Sequence, residues 1–261
     1  MNPFAKLHQG PGVLILPNAW DAGSARVIEV AGAKAIATSS AAVAWSHGYP
    51  DGEALPFDRL IDTVREIARV VSVPVSADIE QAYARDGGEA AESVARVRDA
   101  GAAGVNIEDG AGPPELLADK IGRVKSSLGD AVWINARTDV YLRNLASGEA
   151  AYEETVRRAR LYRAAGADSI FVPFATEDAL LGRLVKAIDA PVNVIAAPGV
   201  PGVSRLCEIG VRRLSAGIGV AKTSLNLTYE LARAFLADGG SGPLTGPLQI
   251  PQGLNAIMRR D

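Results

Sequence analysis

The segment DAGAAGVNIEDG (Asp99–Gly110) runs from the end of a helix through a glycine into a short, unbroken apolar strand. The same phrase returns as EVAGAKAIATSS (Glu29–Ser40), AAGADSIFVPFA (Ala164–Ala175) and EIGVRRLSAG (Glu208–Gly217). Gly32, Gly101, Gly166 and Gly210 stand where a helix closes in the left-handed conformation. The strands that follow are continuously apolar rather than alternating, as parallel strands covered on both faces are.

Four further strands fill the gaps: VLILP (Val13–Pro17), VPVSAD (Val73–Asp78), VWINARTD (Val132–Asp139) and PVNVIA (Pro191–Ala196). Between them lie helical patterns. FDRLIDTVREIARVV (Phe57–Val71) repeats apolar residues at Leu60, Ile61, Val64, Ile67 and Ala68, one face of a helix. GEAAESVARVRDA (Gly88–Ala100) and AYEETVRRARLYRAAG (Ala151–Gly166) behave likewise. Strands near residues 13, 35, 75, 104, 133, 169, 192 and 213 make the count of an α/β (β/α)8 TIM barrel, expected over residues 1–240. A doubly wound open sheet is the alternative; it usually has fewer strands, and no Gly-x-Gly-x-x-Gly turn follows the first strand. Residues 241–261 are a Gly/Pro-rich arm, surplus to a self-contained barrel and expected to pack on a partner subunit.

A chain of 261 residues, 48% apolar and 22% charged, has ample material for one core. A net charge of −3 and 5% aromatic residues speak against nucleic acid or an anionic membrane as partner. No signal peptide or membrane-spanning run is read, and one cysteine, Cys207, gives no disulfide framework; the expected compartment is the cytoplasm. Cys207 lies in VSRLCEIG, a helix face that reads as core.

In a barrel of this kind the active site lies where the strands end. The acids gather after strands two to five. Ser39 and Ser40 follow strand two, then a loop with His47, Tyr49, Asp51 and Glu53; strand three ends in Asp78 and Glu80, strand four in Glu108 and Asp109, strand five in Asn135, Arg137 and Asp139. Asp78 and Glu80 share a face by the two-residue period of a strand. Carboxylates converging without cations repel; a divalent cation resolves this, and an all-oxygen site suits Mg2+, with Mn2+ also possible. Metal ligation is therefore expected at Asp78, Glu80 and Glu108. Arg137 and the Ser39/Ser40 backbone are placed to grip a substrate carboxylate. Asp109 and Asp139 read more simply as capping or surface charges, and His47 as a loop histidine with a candidate catalytic role.

The blocks LPNAWDAGSARVIEVAGAKAIATSS, GYPDGE, PVSADIEQAY, GVNIEDG and INARTD resemble the isocitrate lyase/phosphoenolpyruvate mutase superfamily over the first half of the chain. The resemblance implies a barrel whose last helix swaps into a partner, in a homodimer or homotetramer. It implies Mg2+ on Asp78, with Glu80 where most members carry Asp, and Glu108 as a third acid. Asp51 matches the acid of the loop after strand two. Ser39, Ser40 and Ala41 match the substrate-carboxylate site, and Arg137 the strand-five arginine.

The departures bear on the reaction. The loop EDGAGPPELLADK (Glu108–Lys120) lacks the Lys-Lys-Cys-Gly-His of the isocitrate and methylisocitrate lyases, and no basic gate of the phosphonopyruvate enzymes precedes Lys120. The metal and carboxylate end of the site is kept without the usual acid–base end. His47, Tyr49 and Glu53 are the visible candidates for a base. The expected function is Mg2+-dependent carbon–carbon cleavage or decarboxylation of a small 2-oxo or 2-hydroxy (di)carboxylate through a metal-stabilised enolate. Phosphorus–carbon chemistry on phosphonopyruvate is one alternative, and a barrel that binds 2-oxo acids without turnover is another. FVPFA and IAAPG suggest small, apolar pocket walls.

Overall fold

The computed structural model describes residues 1–247, 250 and 252–259. All strands belong to one parallel sheet: β1 (Leu14–Leu16), β2 (Asn18–Ala19), β3 (Ile36–Thr38), β4 (Val75–Asp78), β5 (Gly104–Glu108), β6 (Trp133–Arg137), β7 (Ser169–Phe171), β8 (Val192–Ile195) and β9 (Arg213–Ser215). The order is β1-β9-β8-β7-β6-β5-β4-β3-β2. β1 and β2 are two pieces of one stave, parted at Pro17. β1 pairs with β9 and β2 with β3, so the first stave closes the ring. Proline has no N–H for the ladder, but Pro17 O still accepts from Ala37 N at 3.3 Å. The eight-stave barrel expected from the repeat is therefore present, with its first strand broken.

The apolar stripe of the helix Phe57–Val70 faces inward: Leu60, Ile61, Val64 and Ile67 are buried. The helix Gly87–Asp99 then ends at Gly101, whose φ is 107°; a Cβ there would stand 2.6 Å from Ala68 Cβ. Glycine is required both by backbone sign and by close approach.

Inside the barrel runs a layer of polar side chains. Asn135 donates to Asn106 Oδ1 at 2.8 Å and accepts from Ser169 Oγ at 2.7 Å, while Asn193 bonds Ser215 Oγ at 3.2 Å. Arg213 is fully buried there, donating through Nε to Ser215 Oγ at 3.1 Å. Burial pulls its guanidinium down to about 9, and the charge of Asp78 works against that.

The helix Pro3–His8 plugs the opposite, N-terminal end of the barrel. Phe4 is fully buried and His8 stacks on Trp133 with ring centroids 4.7 Å apart. His8 Nδ1 lies 2.8 Å from Phe4 O, and burial, with the Arg213 charge nearby, lowers its pKa to about 4. The folded value lies below the ordinary 6.5, so the unfolded chain takes up the proton first. Stability should be fully present above pH 6.5, fall by about 3 kcal/mol between pH 6.5 and 4, and level off below. Urea melts across this range on wild type and His8→Phe check it: the variant should lose that segment of the pH dependence.

Two expectations are adjusted by the fold. Cys207 is half-buried rather than in the core; its Sγ lies 3.1 Å from Pro11 O. The loop after the second stave begins as a short helix, Ser40–Ser46, with Ser39 as its N-cap. The arm expected over 241–261 falls partly outside the described residues; its helix Leu254–Met258 packs on the helix Ala22–Val30 of the same chain, and Arg26 Nε donates to Ile257 O at 2.6 Å. Among the described residues no helix is long and apolar enough to cross a membrane.

Candidate active site

At the C-terminal rim a cavity of about 280 Å³ opens over the barrel axis. Its polar side comprises Ser39, Ser40, Ala41, Asp51, Asp78 and Arg137, with Asn106 and Ser215 in its lining. The end of β4 delivers Asp78 to this cavity because the strand is buried along its whole length and leaves only its last side chain at the opening. Asp78 Oδ2 accepts from Ser40 N at 3.3 Å, and its backbone N–H donates to Thr38 Oγ1 at 2.8 Å. Asp78 Oδ1 is buried and makes no hydrogen bond.

Glu80 and Glu108 stand behind Asp78 rather than beside it; neither lines the cavity. Glu80 accepts from Glu53 N at 2.8 Å, and its own backbone lies in the left-handed region at φ 51°. Glu108 lies 2.5 Å from Arg137 Nη1. Burial raises the pKa of all three carboxyls: Asp78 and Glu108 rise despite the opposing charge of Arg137, and Glu80 is pushed up to about 7. Repulsion from Asp51, and among the three themselves, adds to the effect.

This donor set fits a hard divalent cation. Asp78 lines the cavity with one carboxylate oxygen free of hydrogen bonds, and Glu80 and Glu108 add negative charge that Arg137 offsets only in part. Among the described residues no three acidic, histidine or cysteine side chains already form a direct coordination cluster. A cation bound here would meet Asp78 at the cavity, while Glu80 and Glu108, outside its lining, could reach it through water.

Arg137 is held rigidly. Its Nε and Nη2 fork onto Asp139 at 2.6 and 3.0 Å. Asp139 also accepts from Arg143 Nε at 2.9 Å, and its backbone N–H donates to Asp109 Oδ1 at 2.9 Å. Asp109 Oδ2 accepts from Arg158 Nη1 at 2.9 Å and from Tyr162 OH at 2.5 Å. Asp109 and Asp139 are therefore not the surface charges expected from sequence. Both are buried, in a chain of bonds that fixes Arg137 against the cavity.

The candidate base Tyr49 is exposed and does not line the cavity, whereas Asp51 of the same loop does. His47 does not; its Nε2 lies 2.9 Å from Thr63 Oγ1, on the far side of the short helix. Glu53 is a clamp: its Oε1 accepts from Gln81 N at 3.0 Å and Tyr83 N at 2.8 Å. Lys120 secures the same turn from below, with Nζ donating to Gln81 O and Ala84 O at 2.8 and 2.7 Å. Glu80, Ala82 and Tyr83 all have positive φ here, strain that such fastening sustains. The Asn106–Asn135–Asn193 layer beneath the cavity was not expected from sequence. Its signal is an asparagine in the middle of three otherwise apolar strands, GVNIE, WINAR and VNVI.

A closed parallel barrel with acids, an arginine and a small cavity at its C-terminal rim has these groups where barrel enzymes carry their active sites. The family model of phosphoenolpyruvate phosphomutase matches residues 4–236. The chain belongs to this family, within the isocitrate lyase/phosphoenolpyruvate mutase superfamily of lyases and mutases. It is 36% identical to the uncharacterized protein Rv1998c of Mycobacterium tuberculosis H37Rv over 249 residues, 94% of this chain and 92% of the relative. It is 30% identical to an oxaloacetate decarboxylase of Bradyrhizobium sp. BTAi1, over 75% of this chain and 70% of that one. Among solved structures, a protein of Burkholderia cenocepacia J2315 described as a phosphonomutase superposes with a TM-score of 0.83 at 36% identity, over 88% of this chain and 97% of that one.

Proposed function

We propose that this chain is an Mg2+-dependent carbon–carbon lyase or decarboxylase of a small 2-oxo or 2-hydroxy (di)carboxylate. The observation that carries this reading is Asp78: a buried carboxylate with one unpartnered oxygen, facing a cavity shared with Arg137 and the Ser39–Ala41 turn. A divalent cation held there supplies Lewis acidity for the negative charge that develops on a 2-oxo oxygen. The chain's own residues do the rest. The Ser39, Ser40 and Ala41 segment and Arg137 receive the substrate carboxylate, and Arg137 also balances charge that grows during cleavage. Its fork on Asp139 presets its orientation, so little reorganisation is needed. Asp51 is the carboxylate placed to move a proton at the cavity, since Glu53 is committed to the turn and His47 to Thr63.

Phosphorus–carbon chemistry is the second reading, supported by the family model and the phosphonomutase likeness. Against it, Lys120 points inward to backbone carbonyls instead of gating the cavity. Proton NMR time courses with Mg2+ against metal-free controls test both, using oxaloacetate, 2,3-dimethylmalate, 2-methylisocitrate and phosphonopyruvate. Metal-dependent product from one of them establishes catalysis and names the leaving group. Binding of oxalate with no product from any, nor from a wider set of 2-oxo acids, favours the non-catalytic barrel.

The helix Gly219–Asp238 supports an oligomer. Of its residues only Ala221 is buried, while Leu225, Leu227, Tyr229, Phe235 and Leu236 are exposed. A monomer rarely leaves so many large apolar groups on one helix in water. We assign this helix to a second copy of the chain, in a homodimer or homotetramer. Light scattering behind size exclusion should give twice or four times the 27.2 kDa chain mass, and a monomer at micromolar concentration would refute it.

A further inference from the structure

We infer that Asn106 is a further substrate-binding residue, whose side-chain amide donates a hydrogen bond to an oxygen of the bound 2-oxo acid. The inference rests on the 2-oxo-acid reading of this site and adds to it a neutral donor at the cavity floor. Asn106 lies in the middle of β5, in register with Asp78 of β4, and both residues line the cavity. Asn106 is only 4% exposed, so the surface it keeps is cavity surface. Its role turns on which end of the amide faces that way. Three groups that cannot exchange donor and acceptor roles fix the layer around it. Trp133 Nε1, a donor only, donates to Ser169 Oγ at 2.8 Å; the Ser169 hydroxyl hydrogen is then left for Asn135 Oδ1 at 2.7 Å. Val194 O, an acceptor only, takes Asn193 Nδ2 at 2.8 Å, which turns Asn193 Oδ1 toward Asn135 Nδ2 at 3.2 Å. Arg213, a donor only, reaches Asn106 through Nη2 at 3.4 Å.

Asn135 Nδ2 and Arg213 Nη2 therefore both aim at Asn106 and need an acceptor there, which is Asn106 Oδ1. The amide nitrogen takes the other end, with no hydrogen bond among the described residues. Beside it, Asp78 Oδ1 is also without a bond. The two in-register neighbours thus present an acceptor for a cation and a donor for an anion's oxygen side by side. The other polar groups of the lining are largely committed. Asn18 donates to Thr38 O and accepts from Gly217 N, and Ser215 Oγ is taken up by Asn193 and Arg213. Among the described lining residues Arg137 is the only cation. A donor held in place by a buried layer needs no reorganisation when negative charge develops on the oxygen it faces.

Calorimetric titration with oxalate in Mg2+ buffer, beside Mn2+ affinity without oxalate read by electron paramagnetic resonance, tests this on two variants whose folding is checked by a thermal melt. Asn106→Leu removes the donor at nearly constant size. It should weaken oxalate by about 10–100-fold, the scale of a hydrogen bond to a charged acceptor, and leave Mn2+ affinity within about threefold of wild type. Because Asn106→Leu strands the Asn135 and Arg213 donors, the second variant keeps them paired. Asn106→Asp retains an oxygen for both and turns an acceptor toward the cavity, with Arg213 beside it to hold the carboxylate ionised at about pH 8. It should bind oxalate at least as weakly as Asn106→Leu and Mn2+ at least as tightly as wild type. Oxalate affinity within about threefold of wild type in either folded variant overturns the inference and leaves the 2-oxo-acid reading standing. Joint loss of Mn2+ and oxalate in a folded Asn106→Leu also overturns it, because the residue would then support the metal and not the substrate. Failure of oxalate to bind wild type overturns the 2-oxo-acid reading, and the inference with it.

Discussion

Asp78→Ala is expected to abolish Mg2+-dependent oxalate binding, lowering affinity by more than about 100-fold, while the barrel stays folded. The size follows from position. Losing an acid that only holds a metal's water typically costs about 10–100-fold in metal affinity, so a direct ligand should cost more. Glu80→Gln and Glu108→Gln, set back from the cavity, should fall in that smaller range. The fold should survive because the side chain gives little to stability. One oxygen has no hydrogen bond, the other a single long bond to Ser40 N, and the Thr38 bond to the Asp78 backbone is untouched by the substitution. Removing one of several mutually repelling carboxylates offsets the loss of its attraction to Arg137 and Arg213, so the metal-free melting temperature should stay close to that of wild type. Calorimetry with oxalate, with and without Mg2+, and a thermal melt give the two readouts. Unchanged oxalate affinity in Asp78→Ala would sink the metal assignment. A collapse of the melting temperature would show that the carboxylate is structural.

How much of this was legible in the sequence depends on the scale of the feature. The barrel was, because Gly32, Gly101, Gly166 and Gly210 mark helix ends before buried strands and the pattern repeats around the ring. The break at Pro17 was not read from VLILP, because one stave appearing as two depends on which neighbours each half finds. Rim placement of Asp51, Asp78 and Arg137 followed from strand ends alone. What could not be read was which acids are committed elsewhere. Glu53 stands two residues after Asp51, yet it turns to clamp Gln81 and Tyr83. His47 is as close in sequence, yet lies on the far side of a helix turn. Such partners come from distant parts of the chain, and local periodicity carries no information about them. Asp109 was misjudged for the same reason, since the helix from 148 to 165 brings Arg158 and Tyr162 onto it, and Asp139 because Arg137 and Arg143 close over it.

That burial makes Asp109 the residue whose loss should most damage the fold. Its two oxygens receive the Asp139 backbone N–H, the Arg158 guanidinium and the Tyr162 hydroxyl. All these partners are themselves buried. Asp109→Ala leaves the Tyr162 hydroxyl, the Asp139 backbone N–H and Arg158 Nη1 without their acceptor, and three stranded buried donors together should cost about 3–5 kcal/mol even though Arg158 keeps Glu154. For a domain of this size that lowers the melting temperature by on the order of 10 °C. Asp109→Asn keeps an acceptor for Tyr162 and the backbone, and Arg158 retains Glu154 at 2.6 Å, so the loss should be smaller. Combining Asp109→Ala with Arg158→Met should recover part of the stability, because a buried guanidinium that has lost one of its two carboxylate partners is gone. The damage should also reach the cavity. Asp139 is positioned by Asp109 and in turn grips Arg137, so the double variant, even when refolded to near wild-type stability, should bind oxalate more weakly than wild type. Denaturant melts and oxalate titration on the three variants separate these effects. A stability loss below about 1 kcal/mol for Asp109→Ala, the scale of an ordinary exposed ion pair, would mean that the chain from Asp109 to Arg137 does not hold the site together.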